Sequence, residues 1–234
     1  MDKKAKLIVV LSGGPFHPVS EQFEQLEAKL GSNYKVECYE GIDAFDHLKD
    51  CDLFVAAGLH WTGSAPDRDP RVEGFQPGDY VRPTDAQRDA YCRYVASGRP
   101  VLGWHGGIAS YDDWPEYGRL LGTRWDWKVT SHTAYDHWHV EVLPTGHPVV
   151  EGVSSYDLKD ELYFNFQITP DLDYAIHARA DFHGVTFPMV LTGEGGRVEG
   201  AGKMAYLANG HSMESFSSPA FQQIACNTIH WLLA

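Results

Sequence analysis

The chain lacks any apolar run approaching the ~20 residues that a membrane-spanning helix requires. Its first apolar stretch, Leu7-Ile8-Val9-Val10-Leu11, is too short for the core of a secretory leader, and no small-residue cleavage site follows it. A cytoplasmic protein is therefore expected. Cysteine is sparse: Cys38, Cys51, Cys92 and Cys226 are scattered, with no C-x-x-C pair. That spacing argues against a disulfide framework and fits reduced, mostly buried thiols. Positive charge is scarce too, with 19 Lys+Arg against 32 Asp+Glu and a formal net charge of −13. Without a basic patch, a phosphate backbone or an anionic membrane is repelled, so neither is expected as a partner. There is no internal repeat, linker or low-complexity tract.

What is present suits an ordinary folded protein. Hydrophobic residues make up 43% of 234 positions, which argues against disorder and allows one large core. The chain is read as a single domain, 1–234. Short apolar runs at 6–12, 36–39, 53–57 and 100–104 read as buried strands. Helical patterns alternate with them: 20–30, with Phe23, Leu26 and Leu30 on one face and Gly31 as the stop; a short one at 45–49; and one ending at Ser97 and Gly98. Thr84 with Gln87 three residues later has the form of a capping box for that third helix.

Residues 59–83 form a long irregular stretch rich in Pro, Gly, Asp and Arg, a kind of segment that is commonly functional or disordered. Beyond it, 110–121 reads as a helix interrupted by Pro115. Residues 138–143 alternate like an antiparallel strand, and 174–178, 188–191 and 203–208 are three more strands. The glycine-rich 193–202 reads as a hairpin or wide turn. Ser218-Pro219 starts a last helix to Leu232, with Phe221, Ile224, Ala225 and Ile229 inward. Strands alternating with helices imply an α/β fold with a mostly parallel sheet between two helical layers.

In such sheets ligands bind beyond the C-terminal strand ends. Four strand ends lead to four histidines: His17 after the first, His60 after the third, His105 after the fourth and His211 after the last. The sharpest local signal is Gly103-x-His105-x-Gly107, a strand, tight turn and helix in the form of a nucleophile elbow. Its central residue is histidine, which serves as general base or metal ligand but not as an acyl-transfer nucleophile of the usual kind. His211 follows Gly210 at a neighbouring strand end.

Glu161, within Asp160-Glu161-Leu162-Tyr163, sits among apolar residues where burial beside a histidine would tune its pKa. His132 lies in a loop and is free to reach a pocket. His137 and His139 share a strand face but read as solvent-facing. Trp61, Trp104, Tyr111, Trp114, Trp125, Trp127 and Tyr163 flank the strand ends, where aromatic faces suit sugar rings or ordinary core packing.

The ordered set Leu53-x-x-x-x-Gly58-x-His60, Gly98-x-Pro100-Val101-x-Gly103-x-His105, Tyr117-x-x-Leu120-x-Gly122, Gly146-His147-Pro148-Val149-x-x-Gly152, Asp160-Glu161-Leu162-Tyr163, Gly202-Lys203-Met204-Ala205-Tyr206 and Gly210-His211 resembles the ThuA-like (trehalose-utilisation) family over nearly the whole chain. The resemblance implies a flavodoxin-like three-layer sandwich of the class I glutamine amidotransferase type. Amidotransferases carry a cysteine at the elbow; here His105 stands in its place, so thioester chemistry on glutamine is not expected. His211, with Glu214 three residues on, stands near the amidotransferase histidine and glutamate. ThuA-like relatives can carry a further polar residue just after the elbow, but Gly106-Gly107-Ile108-Ala109 supplies none before Ser110.

The resemblance implies sugar metabolism, on trehalose, a related disaccharide or a 3-keto derivative. The resulting expectation is a carbohydrate-active enzyme with His105 as general base and with His211 and Glu161 as acid and orienting partner. His60, His132, His17, Trp104 and Tyr163 would contact the sugar. No cofactor is required by these residues. A divalent metal, zinc among them, is the one they bring into consideration, with His60 and His132 binding either sugar hydroxyls or that metal and the site itself not fixed. The rival readings are a non-catalytic sugar- or partner-binding module and a zinc hydrolase. A homodimer is the expected assembly.

Overall fold

Residues 6–12 carry five consecutive buried side chains, a pattern that only a strand covered on both faces sustains. This strand, β1 (Lys6–Ser12), lies between β2 (Tyr34–Glu40) and β3 (Leu53–Ala56), parallel to both. The computed structural model of the chain describes residues 4–17, 19–63 and 80–234. Part of the irregular stretch, 64–79, lies outside the described residues.

Nine strands form the main sheet in the order β2-β1-β3-β4-β13-β12-β11-β7-β8. Those not yet given are β4 (Val101–Trp104), β7 (Asp136–Val142), β8 (Tyr156–Asp160), β11 (Asp173–Phe182), β12 (Val185–Glu194) and β13 (Lys203–Leu207). The first five in sheet order are mutually parallel, in the flavodoxin-like order, and the other four extend the sheet as antiparallel neighbours. Two small ladders complete the strands: β5 (Thr123–Arg124) with β10 (Gln167–Ile168), and β6 (Ser131–His132) with β9 (Tyr163–Phe164).

Helices cover both faces. Phe54 is in register with Val101, three residues before Trp104, so strand alternation points Phe54 and Trp104 to opposite sides. Trp104 packs against Phe23 of α1 (Ser20–Leu30), Phe216 of α4 (Met213–Phe216) and Phe221 of α5 (Pro219–Leu232). Phe54 packs against Tyr91 and Tyr94 of α2 (Asp85–Ala96), and Tyr91 in turn meets Tyr117 of α3 (Pro115–Leu121). The capping box forms as expected, Thr84 accepting from the Gln87 N–H and Gln87 accepting from the Thr84 N–H.

Three expectations are corrected. The short helix read at 45–49 is a 3-10 helix, Gly41–His47. The helix read at 110–121 begins only at Pro115, because proline fits the first turn, where its missing N–H costs no bond. The strands read at 174–178 and 188–191 are longer and form one hairpin, closed by His183 and Gly184. Both turn residues have positive φ (54° and 80°), as a two-residue hairpin turn matching the strand twist requires.

Candidate functional site

β4 ends in the elbow that the glycines announce. His105 has φ +40°, a left-handed conformation rare outside glycine. Gly107 lets the turn press against β3: a Cβ there would come 1.9 Å from the Ala56 carbonyl oxygen. A Cβ on Gly106 would come 2.5 Å from Cδ2 of His17, so that glycine admits the His17 ring. The segment after the elbow is a 3-10 helix, His105–Ala109, in place of the regular helix expected. His105 is 0% exposed. Its Nδ1 lies 2.7 Å from the Ala208 carbonyl oxygen at the end of β13. A carbonyl only accepts, so Nδ1 carries the proton and donates, and the neutral ring keeps its lone pair on Nε2.

Three further segments converge on that nitrogen. His17, from the loop after β1, and His211, from the loop after β13, place their rings edge-on to His105 at 4.8 Å and 5.4 Å between centroids, and 4.8 Å from each other. Glu161 follows β8. Its Oε2 lies 3.7 Å from His105 Nε2 and 3.3 Å from His211 Nδ1, the latter without hydrogen-bond alignment. Its Oε1 lies 3.3 Å from His132 Nδ1. The β6–β9 ladder pairs His132 with Tyr163 and so carries His132 to the cluster. Tyr163 is buried, its ring 4.2 Å from that of His105 and its hydroxyl 3.5 Å from His17 Nε2.

Burial and exposure sort these groups. His105 and His17 are sealed, at 0% and 4% exposed. The side chains of Glu161, His132 and His211 keep 14%, 23% and 24% of their surface. Burial raises the Glu161 carboxyl pKa, but the adjacent imidazoles of His105, His132 and His211 lower it by more, so the net shift is well below the usual carboxylate range. Burial first, and then the neighbouring His105 and His211, hold His17 well below the ordinary imidazole value.

Asp160 organises this end of the molecule and escapes a reading of the sequence. Its buried carboxylate accepts from three backbone N–H groups: Gly210 on Oδ2 at 2.8 Å, and Glu161 (2.8 Å) and His211 (3.3 Å) on Oδ1. Three strands lie between β8 and β13 in the sheet order, so the antiparallel half curls back to bring these loops together. Asp160 was legible only as the neighbour of Glu161.

Not every expected residue joins the cluster. Trp104 is corrected from sugar contact to core: it is fully buried, donates through Nε1 to Gln22 Oε1 and supports Gly210 from below. His60 is corrected as a member of the shared pocket. Its Nε2 donates to the Ser12 carbonyl at 2.8 Å, and it faces a separate cavity of about 240 Å³ with Glu40, Trp61 and Tyr80. Glu214 does not pair with His211; it is exposed and binds Lys159 and Tyr135. His137 and His139 are exposed as expected, His139 pairing with Asp157. A cleft of about 280 Å³, lined in part by Asp112, Arg124, Trp125, Asp126 and Trp127, adjoins the cluster through Trp125, whose ring lies 5.1 Å from Tyr163.

A flavodoxin-ordered sheet with an elbow at the end of β4 defines an α/β protein with the class I glutamine amidotransferase-like fold, in which a histidine replaces the thiol. Over residues 15–232 the chain matches the ThuA family, described as trehalose utilisation, and it belongs to that family. A ThuA-like protein from Parabacteroides merdae is similar at 17% identity, with 99% of this chain and 91% of that one covered and a TM-score of 0.74. A ThuA-like protein from Bacteroides uniformis follows at 16% identity, covering 99% and 93%, with a TM-score of 0.67. A GMP synthase protein from Thermoplasma acidophilum shares the fold at 13% identity, covering 99% and 96%, with a TM-score of 0.53. No curated protein matches the chain. Among the described residues no helix is long and apolar enough to cross a membrane.

Proposed function

We propose that the chain is a cytoplasmic carbohydrate-active enzyme of the trehalose-utilisation type, performing acid–base chemistry on a disaccharide or its 3-keto derivative at the Glu161 cluster. The observation that carries this reading is one carboxylate in contact with three imidazoles, two of them open to solvent and one sealed beneath. His132 Nδ1 faces two acceptors, Glu161 Oε1 and the Thr133 carbonyl, so it carries the proton and Nε2 is the basic nitrogen. Glu161 orients that ring and stabilises its protonated form, the part a carboxylate plays in a histidine–carboxylate pair. His132 Nε2 takes a proton from the substrate and returns one to it. His105, sealed and fixed by Ala208, does not meet substrate in this reading, which moves the base from the elbow to the cluster rim.

The adjoining cleft supports a sugar ligand, since tryptophan faces beside Asp112, Arg124 and Asp126 suit a ring with an apolar face and hydroxyl edges. Incubation with trehalose, other disaccharides and their 3-keto forms, followed by product analysis, tests the reading. Glu161→Gln and His132→Gln should each lower turnover by about 10²–10⁴-fold. Wild-type turnover in both variants would refute the mechanism. Sugar binding without turnover would favour a binding module.

A further inference from the structure

We propose that His17, His105 and His211 form a binding site for one divalent first-row metal ion, zinc foremost. The three side chains come from three different strand ends, and one ligand atom from each lies within 4.8 Å of the others. Among the described residues His17 Nδ1, His105 Nε2 and His211 Nδ1 are buried and have no hydrogen-bond partner. A buried polar atom without a partner is costly, and three together on facing rings call for a shared one. Ring nitrogens this close that find no donor cannot satisfy each other, because two imidazole nitrogens bond only through a proton between them. A cation satisfies all three at once.

The surroundings are those of a metal ligand set. His105 Nδ1–H donates to the Ala208 carbonyl, the outer hydrogen bond that fixes the tautomer and orients a ligating ring. Imidazole nitrogens select zinc and its neighbours over calcium or magnesium, which take oxygen ligands. Tetrahedral zinc holds its nitrogen ligands ~3.3 Å apart, so the rings close by about 1 Å or a little more when the ion enters. Glu161 stands beside two of the three rings, with an oxygen 3.3 Å from His211 Nδ1 and 3.7 Å from His105 Nε2, and supplies negative charge for the cation. The partly exposed His211 and Glu161 mark the side from which an ion and then a substrate oxygen enter. With the trio on the metal, the Glu161–His132 pair remains to move protons.

Catalytic use of this metal rests on the carbohydrate reading, whereas its binding does not. The test therefore contains no sugar. The full chain, stripped with a chelator, is titrated calorimetrically with zinc chloride, and the cobalt(II) form is read by its visible absorption. One zinc per chain and intense tetrahedral cobalt bands are expected. His17→Gln, His105→Gln and His211→Gln should each weaken zinc by about 100-fold or more. His139→Gln, on the exposed β7 pair, should change nothing. If the sealed His105 variant fails to fold, His211→Ala in its partly exposed loop gives the same reading. Absence of saturable zinc binding would overturn the proposal. So would zinc binding of wild-type strength in both His17→Gln and His211→Gln. Zinc binding without sugar turnover would refute the functional reading and leave this site standing.

Discussion

Replacing Asp160 by asparagine tests the claim that one buried carboxylate assembles the site. Asparagine keeps the shape but only one oxygen. With that oxygen toward the Glu161 and His211 N–H groups, its NH₂ meets the Gly210 N–H donor to donor, where Asp160 Oδ2 now accepts at 2.8 Å. One hydrogen bond to a charged acceptor is lost, at ~1.5–3 kcal/mol, and a buried N–H is orphaned, at ~1–3 kcal/mol. The loss is partly offset, because burial is the main influence on Asp160 and raises its carboxyl pKa, so a neutral side chain is cheaper to bury. A net cost of about 2–3 kcal/mol follows, which lowers Tm by ~4–12 °C in a chain of this size. Melting by circular dichroism reads the first quantity. Amide hydrogen exchange at Gly210 reads the second, since that amide should lose protection while His211 and β1 keep theirs. A variant with wild-type Tm and wild-type protection at the Gly210 amide would refute the argument.

Other perturbations follow from the same geometry. Gly106→Ala sets a methyl 2.5 Å from His17 Cδ2, an overpacking worth ~1–3 kcal/mol; the His17 imidazole NMR resonances should shift, and an unchanged spectrum would count against the packing described. Burial, and then the stacked His147, depress His177 to about 4 from 6.5. Its contribution to stability is complete above pH 6.5 and is lost as pH falls from 6.5 to 4, up to roughly 3 kcal/mol. Urea titrations across that range should show a slope that His177→Gln flattens. Arg197 is buried and donates to the carbonyls of Leu120, Gly202 and Lys203, so Arg197→Met should cost about 3 kcal/mol in the same titration at neutral pH. Thr84→Ala removes half of a capping box and should cost ~1 kcal/mol, with no change at the histidine cluster.

Local physics was legible where it decided the structure alone. β1 and α1 have the bounds that their patterns predict, because a buried run and a 3.6-residue apolar stripe need no knowledge of distant partners. The Thr84–Gln87 box and the elbow at His105 are likewise written within a few residues. The parallel core was readable as alternation of strand and helix. The four-strand antiparallel extension was readable only in part: β7 was read as an antiparallel strand, β11 and β12 were read too short, and β8 was not read at all, since nothing local states how far a sheet continues. The four strand-end histidines were the right kind of signal, yet proximity was settled elsewhere: His17 enters because Gly106 lacks a side chain, and His60 leaves because its Nε2–H donates to the Ser12 carbonyl.

The partner of His211 shows what kind of information was missing. The resemblance to amidotransferases offered Glu214, three residues on, as the carboxylate beside His211. Ser212 instead caps α4 by accepting from the Ser215 N–H, and Glu214 faces Lys159 and Tyr135 in solvent. The carboxylate that reaches His211 is Glu161, delivered from β8 by the curl of the antiparallel strands and held by Asp160 across the gap. A charge that must sit against a sealed imidazole has to come from a segment that is itself anchored, and Asp160, with three backbone donors, anchors it. The acidic pair therefore divides its work, with the first residue building the frame and the second facing the rings. That division explains why two adjacent carboxylates occupy a place where one would satisfy the electrostatics.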